Sequence, residues 1–548
     1  MNTIASGVSL SLGSDTLRGM RSPRTVLAFA FGLVSLGVPL TPINANADED
    51  DASSESASDK DSEPPPDGAH GAQAGASASA KTSGASSSLN ANAGAKDGAP
   101  DASASEEKAW REEPGFHFGS YGRTRVATDL RGGGPQYSNI VAYGSRLDAA
   151  PYLELELRET SYPSEANKDL RVRVVSTLAF AGDPFHYTGQ WESHIALRNL
   201  FVDVQGVGTK GLTLWTGARM YRGDDIYLLD FWPLDNLNTV GGGAILDVGT
   251  GTRIQAHVGT NRLLDSDFQY QARLVPSRDG FGADLAVTLD RPRTIASAKV
   301  TQFFNGFNAS SGMKASLYAE GHFLPSGTRE LSSNTIRPSD DLPSDSGFVV
   351  GGQFTGYGFG ERAGHAHLFV RYARGVAAYG ELASPTLLDA DRKAKASEFL
   401  VALAGNYETG PFGVMWGAYA RLFDASMGAD FSDQKYWEGN IVARPQVYFT
   451  EHFGFGTELS YQFRNRKVLN DDGTHDVPSV FRISALPIIS PAGWGGYNRP
   501  IIYGVYTASL RNSAAKNSYP VEDPRSQRST EHYLGLQAEW WFNSSSYP

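Results

Sequence analysis

The amino-acid sequence predicts an all-β fold, a transmembrane antiparallel β-barrel of about 18 strands. Three observations carry that expectation. The chain opens with an export-type segment and contains no cysteine; apolar and polar residues alternate with period two from residue 116 onward without a helical domain; and the last alternating segment ends in aromatics, Trp540 and Phe542 among them. Strands of about 10 residues, joined alternately by short turns and long Gly/Asn/Asp-rich loops, describe an outer-membrane barrel. Roughly 430 residues at roughly 24 per strand plus connection give about 18 strands, within the range of barrels with an aqueous lumen.

The N-terminal expectation rests on charge and hydropathy. Arg18, Arg21 and Arg24 precede an apolar run over 26–38, after which the triplet Ala45-Asn46-Ala47 meets the acidic run Asp48-Glu49-Asp50-Asp51. This is the order of a secretory signal with an A-x-A cleavage site, which places a signal peptide at 1–47. A membrane anchor needs roughly 20 apolar residues, whereas this run is broken by Gly32, Ser35 and Gly37 and stops at Pro39. Residues 48–105 are almost entirely Ala, Ser, Gly, Asp, Glu, Lys, Asn and Pro, without one aromatic. Such a stretch buries too little apolar surface to offset its ordering entropy, so 48–113 reads as a disordered acidic extension in the periplasm. It shows no apolar heptad that would make a coiled coil.

Composition excludes several function classes. The 548 residues carry a formal net charge of -12, concentrated in 48–113, where fifteen acidic side chains face five basic ones. The basic footprint that a phosphate backbone requires is missing, so nucleic acid is excluded as the main partner. Without cysteine there are no disulfides, thiolate metal sites or cysteine nucleophiles.

The segment 114–542 is the expected barrel, and 543–548 a tail. In Tyr152-Leu153-Glu154-Leu155-Glu156-Leu157-Arg158 the leucines share one face and Tyr152, Glu154, Glu156 and Arg158 the other. Near the C-terminus, Phe453, Phe455, Thr457, Leu459, Tyr461 and Phe463 oppose Gly454, Gly456, Glu458, Ser460 and Gln462. The final strand sets Leu534, Leu536, Ala538, Trp540 and Phe542 against Tyr533, Gly535, Gln537, Glu539 and Trp541. A lipid-facing surface must be apolar, so the polar faces line a pore. Those faces pair aromatics (Tyr121, Tyr152, Trp541) with charges (Arg123, Arg146, Glu154, Arg198, Glu539). Aromatic planes cover the apolar faces of pyranose rings while Arg and carboxylates meet the ring hydroxyls, and many weak contacts bind without trapping. The ligand implied is a sugar. Aromatics in barrel strands more often form an interfacial girdle, but the pleat puts Tyr152 and Trp541 opposite Leu153 and Trp540.

Specific segments carry a family resemblance. Trp191-Glu192-Ser193 through Arg198-Asn199, then Leu214-Trp215-Thr216-Gly217-Ala218-Arg219, Tyr221, Asp225, Asp230-Phe231-Trp232 and Asp235, resemble the second loop, following strand and inward-folded third loop of maltoporins. Phe118-Gly119-Ser120-Tyr121-Gly122-Arg123, the Arg499-Pro500 strand and Gln537-Ala538-Glu539-Trp540-Trp541-Phe542 match in order and spacing. The similarity spans about Gly115 to Phe542, with a variable middle over about 260–440.

The resemblance implies a homotrimeric outer-membrane channel of about 18 strands, with an inward-folded constriction loop, passing maltose and maltodextrins along an aromatic slide flanked by an ionic track. The slide would comprise Trp191 (donated by the neighbouring subunit), Tyr152, Tyr121, Trp541 and Tyr497, with Trp494 close by. The track would include Arg123, Arg146, Glu154, Arg198, Asp225 and Asp230. Trp232 takes the constriction position where maltoporins usually have tyrosine. Two departures leave the exact sugar open: a further slide aromatic falls on His365, and the constriction arginine on Gly223, with Arg222 adjacent. Sucrose porins also differ at the constriction and carry an N-terminal extension, although theirs has coiled-coil character.

Other motifs weigh little. His365 and His367 share a strand face, but no third ligand is fixed by spacing, so solvated pore histidines are expected rather than a metal site. Gly356-x-Gly358-x-Gly360 lacks the strand-to-helix context of a nucleotide loop, and no G-x-S-x-G, H-E-x-x-H or P-loop pattern occurs. A saccharide-selective porin, a general diffusion porin and a barrel enzyme are therefore separable: the first predicts current block by sugar, the second conductance without block, the third a Ser/His/acid set that is not found. No catalytic residue, cofactor or metal is expected.

Overall fold

Period-two alternation gives each strand one apolar and one polar face, and closing the sheet leaves no unpaired edge in the hydrocarbon layer. The computed structural model describes residues 113–544 except 135–137, 165–166, 168, 183–193, 262–269, 277–282, 290–291, 308, 330–339, 363, 381–394, 426–433, 467–476 and 520. The expected signal peptide, nearly all of the acidic extension, Trp191 and the last four residues lie outside the described residues.

Eighteen strands form one sheet. They are β1 (Gly115–Thr128), β2 (Tyr152–Ser161), β3 (Arg171–Ala181), β4 (His194–Gln205), β5 (Leu212–Arg222), β6 (Asn236–Val248), β7 (Thr252–Asn261), β8 (Arg293–Phe303) and β9 (Gly312–Leu324). The second half comprises β10 (Asp345–Phe359), β11 (Gly364–Gly375), β12 (Ser397–Thr409), β13 (Phe412–Ala425), β14 (Gln434–Tyr448), β15 (Phe453–Arg466), β16 (Ser479–Ile489), β17 (Ile501–Arg511) and β18 (Thr530–Phe542). Each pairs antiparallel with its neighbours in sequence, and β18 closes on β1 from Thr128↔Leu534 to Ser120↔Phe542. The expected strand count and closure are both observed. Short turns such as 249–251 and 410–411 gather at one end, and long connections such as 129–151 and 512–529 at the other.

The faces follow the expected alternation. On β15, Gly454, Gly456, Glu458, Ser460, Gln462 and Arg464 are buried inside the barrel, while Phe453, Leu459 and Tyr461 are exposed outside. On β18, Glu531, Tyr533 and Glu539 point inward, and Leu534, Leu536 and Phe542 outward. No helix among the described residues is long and apolar enough to cross a membrane. The outward-facing apolar residues of the strands form the apolar belt.

Two long connections enter the lumen. The 223–235 loop follows β5 and carries the apolar sequence Ile226, Tyr227, Leu228, Leu229, Phe231 and Leu234, which cannot remain in a water-filled pore without cost. A single turn of 3₁₀-helix (Tyr227–Leu229) ends at Asp230, whose φ of 50° is left-handed, and Ile226 N–H donates to the Phe231 carbonyl at 2.7 Å. The turn aims the apolar side chains at Leu400, Ala402, Met415, Tyr419 and Val442 on the inner wall. Two glycines make room: a Cβ at Gly417 would lie 2.5 Å from Ile226 Cγ2, and one at Gly351 would lie 2.6 Å from Leu234 Cδ1. Each fully buried aliphatic or aromatic side chain contributes roughly 1.5–3 kcal/mol, so this docking is strongly favoured.

The 129–151 loop crosses to the same wall. Ile140 N–H donates to Gln462 Oε1 at 3.0 Å, Tyr143 N–H to the Tyr419 hydroxyl at 3.2 Å, and Tyr143 stacks on Phe231 with ring centroids 3.6 Å apart. The two loops thus pack on each other as well as on β12–β15.

Candidate functional site

Between the inserted loops and the β18–β1–β2 wall lie most of the expected site residues. Pleat alternation puts Tyr121 and Arg123 on the inner face of β1, Tyr152 and Glu154 on β2, and Glu539 and Trp541 on β18; register brings Tyr121 opposite both Glu154 and Trp541. Tyr121 and Tyr152 lie 6.0 Å apart between ring centroids. The Arg123 guanidinium is 5.6 Å from the Tyr152 centroid and pairs with Asp230 at 3.0 Å. From β4, Arg198 reaches the other side of this group, pairing with Glu154 and contacting the Tyr152 hydroxyl, with its guanidinium 5.4 Å from the ring centroid.

Arg146 comes from a short 3₁₀ turn (Arg146–Asp148) in the 129–151 loop, capped by Ser145. It pairs with Glu539, contacts the Tyr121 hydroxyl and stands 4.3 Å from the Tyr227 ring centroid. Glu539 gathers more than this. Arg499 pairs with it at 2.7 Å and Tyr227 donates its hydroxyl at 2.5 Å, while the Arg499 guanidinium lies 3.9 Å from the Trp541 centroid. Tyr227 also meets Tyr497 and Trp541 edge-on at 5.4 and 6.2 Å. Rings therefore run through Tyr152, Tyr121, Trp541, Tyr227 and Tyr497, the first four each with an arginine beside them.

Exposure separates these rings. Tyr152 and Trp541 are half-buried, whereas Tyr121 is 3% exposed, enclosed by Arg123, Arg146 and Glu539. Tyr121 contributes a hydroxyl network, and Tyr152 and Trp541 contribute the more open faces. Tyr497 adjoins His365 at 5.7 Å, and His365 adjoins His367 at 4.5 Å. His367 is engaged with the Thr355 hydroxyl at 2.8 Å. Among the described residues no group of three or more acidic or histidine side chains is arranged to hold a metal ion. Trp494 sits apart, at the short-turn end, its Nε1 donating to the Thr450 carbonyl at 2.7 Å.

The constriction loop adds three carboxylates in distinct states. Asp224 is half-buried, and its partial desolvation favours the neutral form, but the Lys314 ammonium at 2.7 Å and His367 hold it well below the usual range. Asp230 is likewise half-buried, yet Arg146 and Arg123 lower it. Burial pushes Asp225 up to about 7; Arg146 opposes the shift, while Asp230 and Asp224 reinforce it. At the rim of the loop, Arg222 lies 3.9 Å from the Trp232 ring centroid and donates to Asn236 Oδ1 at 2.5 Å. Gly223 has no space for a side chain: a Cβ would meet Asp235 Oδ1 at 2.1 Å and Lys299 Nζ at 2.9 Å, the two partners of a buried ion pair. A guanidinium is thus presented from position 222.

Nine of the twelve expected residues are joined by the contacts above: Tyr121, Tyr152, Trp541, Tyr497, Arg123, Arg146, Glu154, Arg198 and Asp230; Asp225 lies on the same inserted loop, within the electrostatic influence of Arg146 and Asp230. Trp232 stands with Arg222 on the same loop, and Trp191 lies outside the described residues. Sequence reading missed Tyr227 and Arg499 as participants and the junction role of Glu539. Tyr227 sits in an apolar run that reads as core. Arg499 and Glu539 lie within segments matched from the sequence, Glu539 among the expected lumen charges, but their meeting depends on β17–β18 register.

A family model described as LamB porin matches residues 116–542. No curated protein matches the chain. Among solved structures, it is similar to Pseudomonas aeruginosa OccK3 (OpdO), with 10% identity, 78% of this chain and 95% of that chain covered, and a TM-score of 0.40. It is also similar to Acinetobacter baumannii OccAB1 (12% identity, 78% and 96% covered, TM-score 0.40) and to the trimer form of Vibrio cholerae OmpT (10%, 78% and 100%, 0.34). With the family model spanning the whole barrel from its first strand to its last, the chain belongs to the LamB porin family.

Proposed function

We propose that this outer-membrane porin conducts maltose, maltodextrins or closely related oligosaccharides by facilitated diffusion. The observation that carries the reading is the set of rings from Tyr152 to Tyr497, four of them beside arginines, bounded by the inserted loops. A pyranose ring laid on Tyr152 or Trp541 covers its apolar face, while Arg123, Arg198 and Asp230 exchange hydrogen bonds with its hydroxyls as it moves. No single contact is strong, so the sugar advances by replacing one partner with the next. On this reading the barrel is a trimer in which Trp191 of each subunit serves its neighbour, residues 1–47 are removed on export, and 48–113 lie in the periplasm. No chemical step is involved.

A second reading, a sucrose-type preference, is favoured by the Arg222–Trp232 pair and the side-chain-free Gly223. Reconstituted channels exposed to maltotriose, sucrose and an uncharged polyol of similar size test both. Saturable current block by maltotriose supports the first, stronger block by sucrose the second, and size-dependent passage without block a general diffusion pore.

A further inference from the structure

Behind the rings, a small cleft is lined by Arg123, Arg125, Arg146, Arg444, Tyr503 and Glu539 among others. Its charge is unbalanced. Arg123 pairs with Asp230, Arg146 and Arg499 share Glu539, and Arg444 pairs with Glu458 at 2.7 Å. Arg125 adds a further guanidinium, which meets the main-chain carbonyl of Asp148. Among the described residues the lining of the cleft thus carries four guanidiniums, those of Arg123, Arg125, Arg146 and Arg444, against one carboxylate, Glu539.

A second, independent feature points to a ligand. Tyr503 is 4% exposed and lines the cleft, and its hydroxyl has no hydrogen-bond partner among the described residues. A buried polar atom left unsatisfied forfeits its hydration without compensation, so such an atom facing a cationic cleft marks a place for an acceptor. Guanidinium groups recognise planar or tetrahedral oxyanions through paired N–H donors, and a phenol hydroxyl donates a further bond. The cleft is narrow, suited to a carboxylate or phosphate substituent rather than to a whole pyranose, which would remain outside on Trp541 or Tyr152.

We infer that this arginine cleft is an anion station that lets the channel favour saccharides carrying an oxyanion, a sugar acid or sugar phosphate, over their neutral counterparts. The inference rests on the proposed saccharide channel and assigns it a charge preference. Arg125 and Tyr503 belong to the cleft but not to the ring set, which makes them the residues to change.

The test compares maltose with maltobionate and maltose 1-phosphate on the reconstituted full-length channel at about 0.1 M salt, where charges are screened over about 10 Å. Half-block by either anion should occur at a concentration at least about tenfold lower than by maltose; a preference confined to maltobionate identifies a carboxylate station, and one confined to maltose 1-phosphate a phosphate station. In Arg125→Gln and in Tyr503→Phe the advantage should shrink about threefold or more, with maltose block and open-channel conductance retained as evidence of a folded pore. Equal block by charged and neutral sugars in the wild type overturns the inference, as does an advantage that survives both substitutions. Block by the anions without any block by maltose or maltotriose would support the station while refuting the maltodextrin reading.

Discussion

Two parts of the inner wall use the same side chains to opposite ends. On β11–β15, Arg371, Glu398, Arg421, Glu438 and Arg464 alternate, so that Glu398 lies between Arg371 and Arg421, and Glu438 between Arg421 and Arg464. On β18–β1–β2 the arginines lie against rings, and Arg146 and Arg499 share one carboxylate. The first wall links its charges into one ladder and anchors the inserted loops, through Arg371 to the Pro233 carbonyl at 2.7 Å and Asn440 to the Tyr143 carbonyl at 3.2 Å. The second leaves half-buried ring faces beside polar groups. A charge ladder holds the constriction in one place, and half-buried rings leave capacity for a passing solute in the other.

The largest expected effect breaks the anchoring wall. Glu398→Ala removes the carboxylate held by Arg371 and leaves that cation buried, a change that typically costs about 3–5 kcal/mol. The barrel's unfolding temperature should fall, and open-channel conductance should rise as the Pro233 anchor loosens; unchanged values of both would show that the ladder carries no load. A smaller effect is expected on the ring wall. Trp541→Ala should weaken maltotriose block by roughly 1 kcal/mol, about fivefold, at unaltered conductance.

The contrast between the walls was only partly legible in the sequence. Alternation placed Tyr152, Glu154, Glu539 and Trp541 in the lumen because a strand fixes the face of each residue independently of the rest of the fold. It could not reveal that Arg146 would reach Glu539, since that meeting requires the 129–151 loop to turn inward and dock on a wall some 300 positions away. Nor does alternation assign a purpose to Gly351 and Gly417, because the Leu234 and Ile226 side chains that fill the space beside them come from the inserted loop. Tyr227 was hidden for the same reason: within Ile226-Tyr227-Leu228-Leu229 nothing distinguishes the ring whose hydroxyl meets Glu539 from its purely apolar neighbours.

Two finer changes sharpen the comparison at the constriction. Trp232→Tyr reduces the ring on which Arg222 rests, a stacking worth about 0.5–1 kcal/mol at such sites. The ratio of maltotriose to sucrose block should shift about two- to threefold toward maltotriose; no shift would remove Trp232 from the selectivity element. The smallest effect concerns Asp225, whose carboxyl is pushed up to about 7 by burial. It is neutral below that pH and gains its charge as pH rises through it, so cation preference of the pore should increase between pH about 6 and 8. Asp225→Asn should flatten that rise, and a rise identical to wild type would assign it to other groups.

The division of labour between the two walls is tested most directly by a crossed measurement: maltotriose block of single-channel current and thermal unfolding of the purified barrel, each on wild type, Tyr152→Ala and Glu398→Ala. Tyr152→Ala should weaken block about fivefold and leave the unfolding temperature within error, since a half-buried ring beside Arg123 and Arg198 carries sugar contact more than packing. Glu398→Ala should lower the unfolding temperature whether or not sugar is present. If Tyr152→Ala destabilises the barrel as much as Glu398→Ala does and leaves block intact, the ring wall is structural and the proposed sugar path is contradicted.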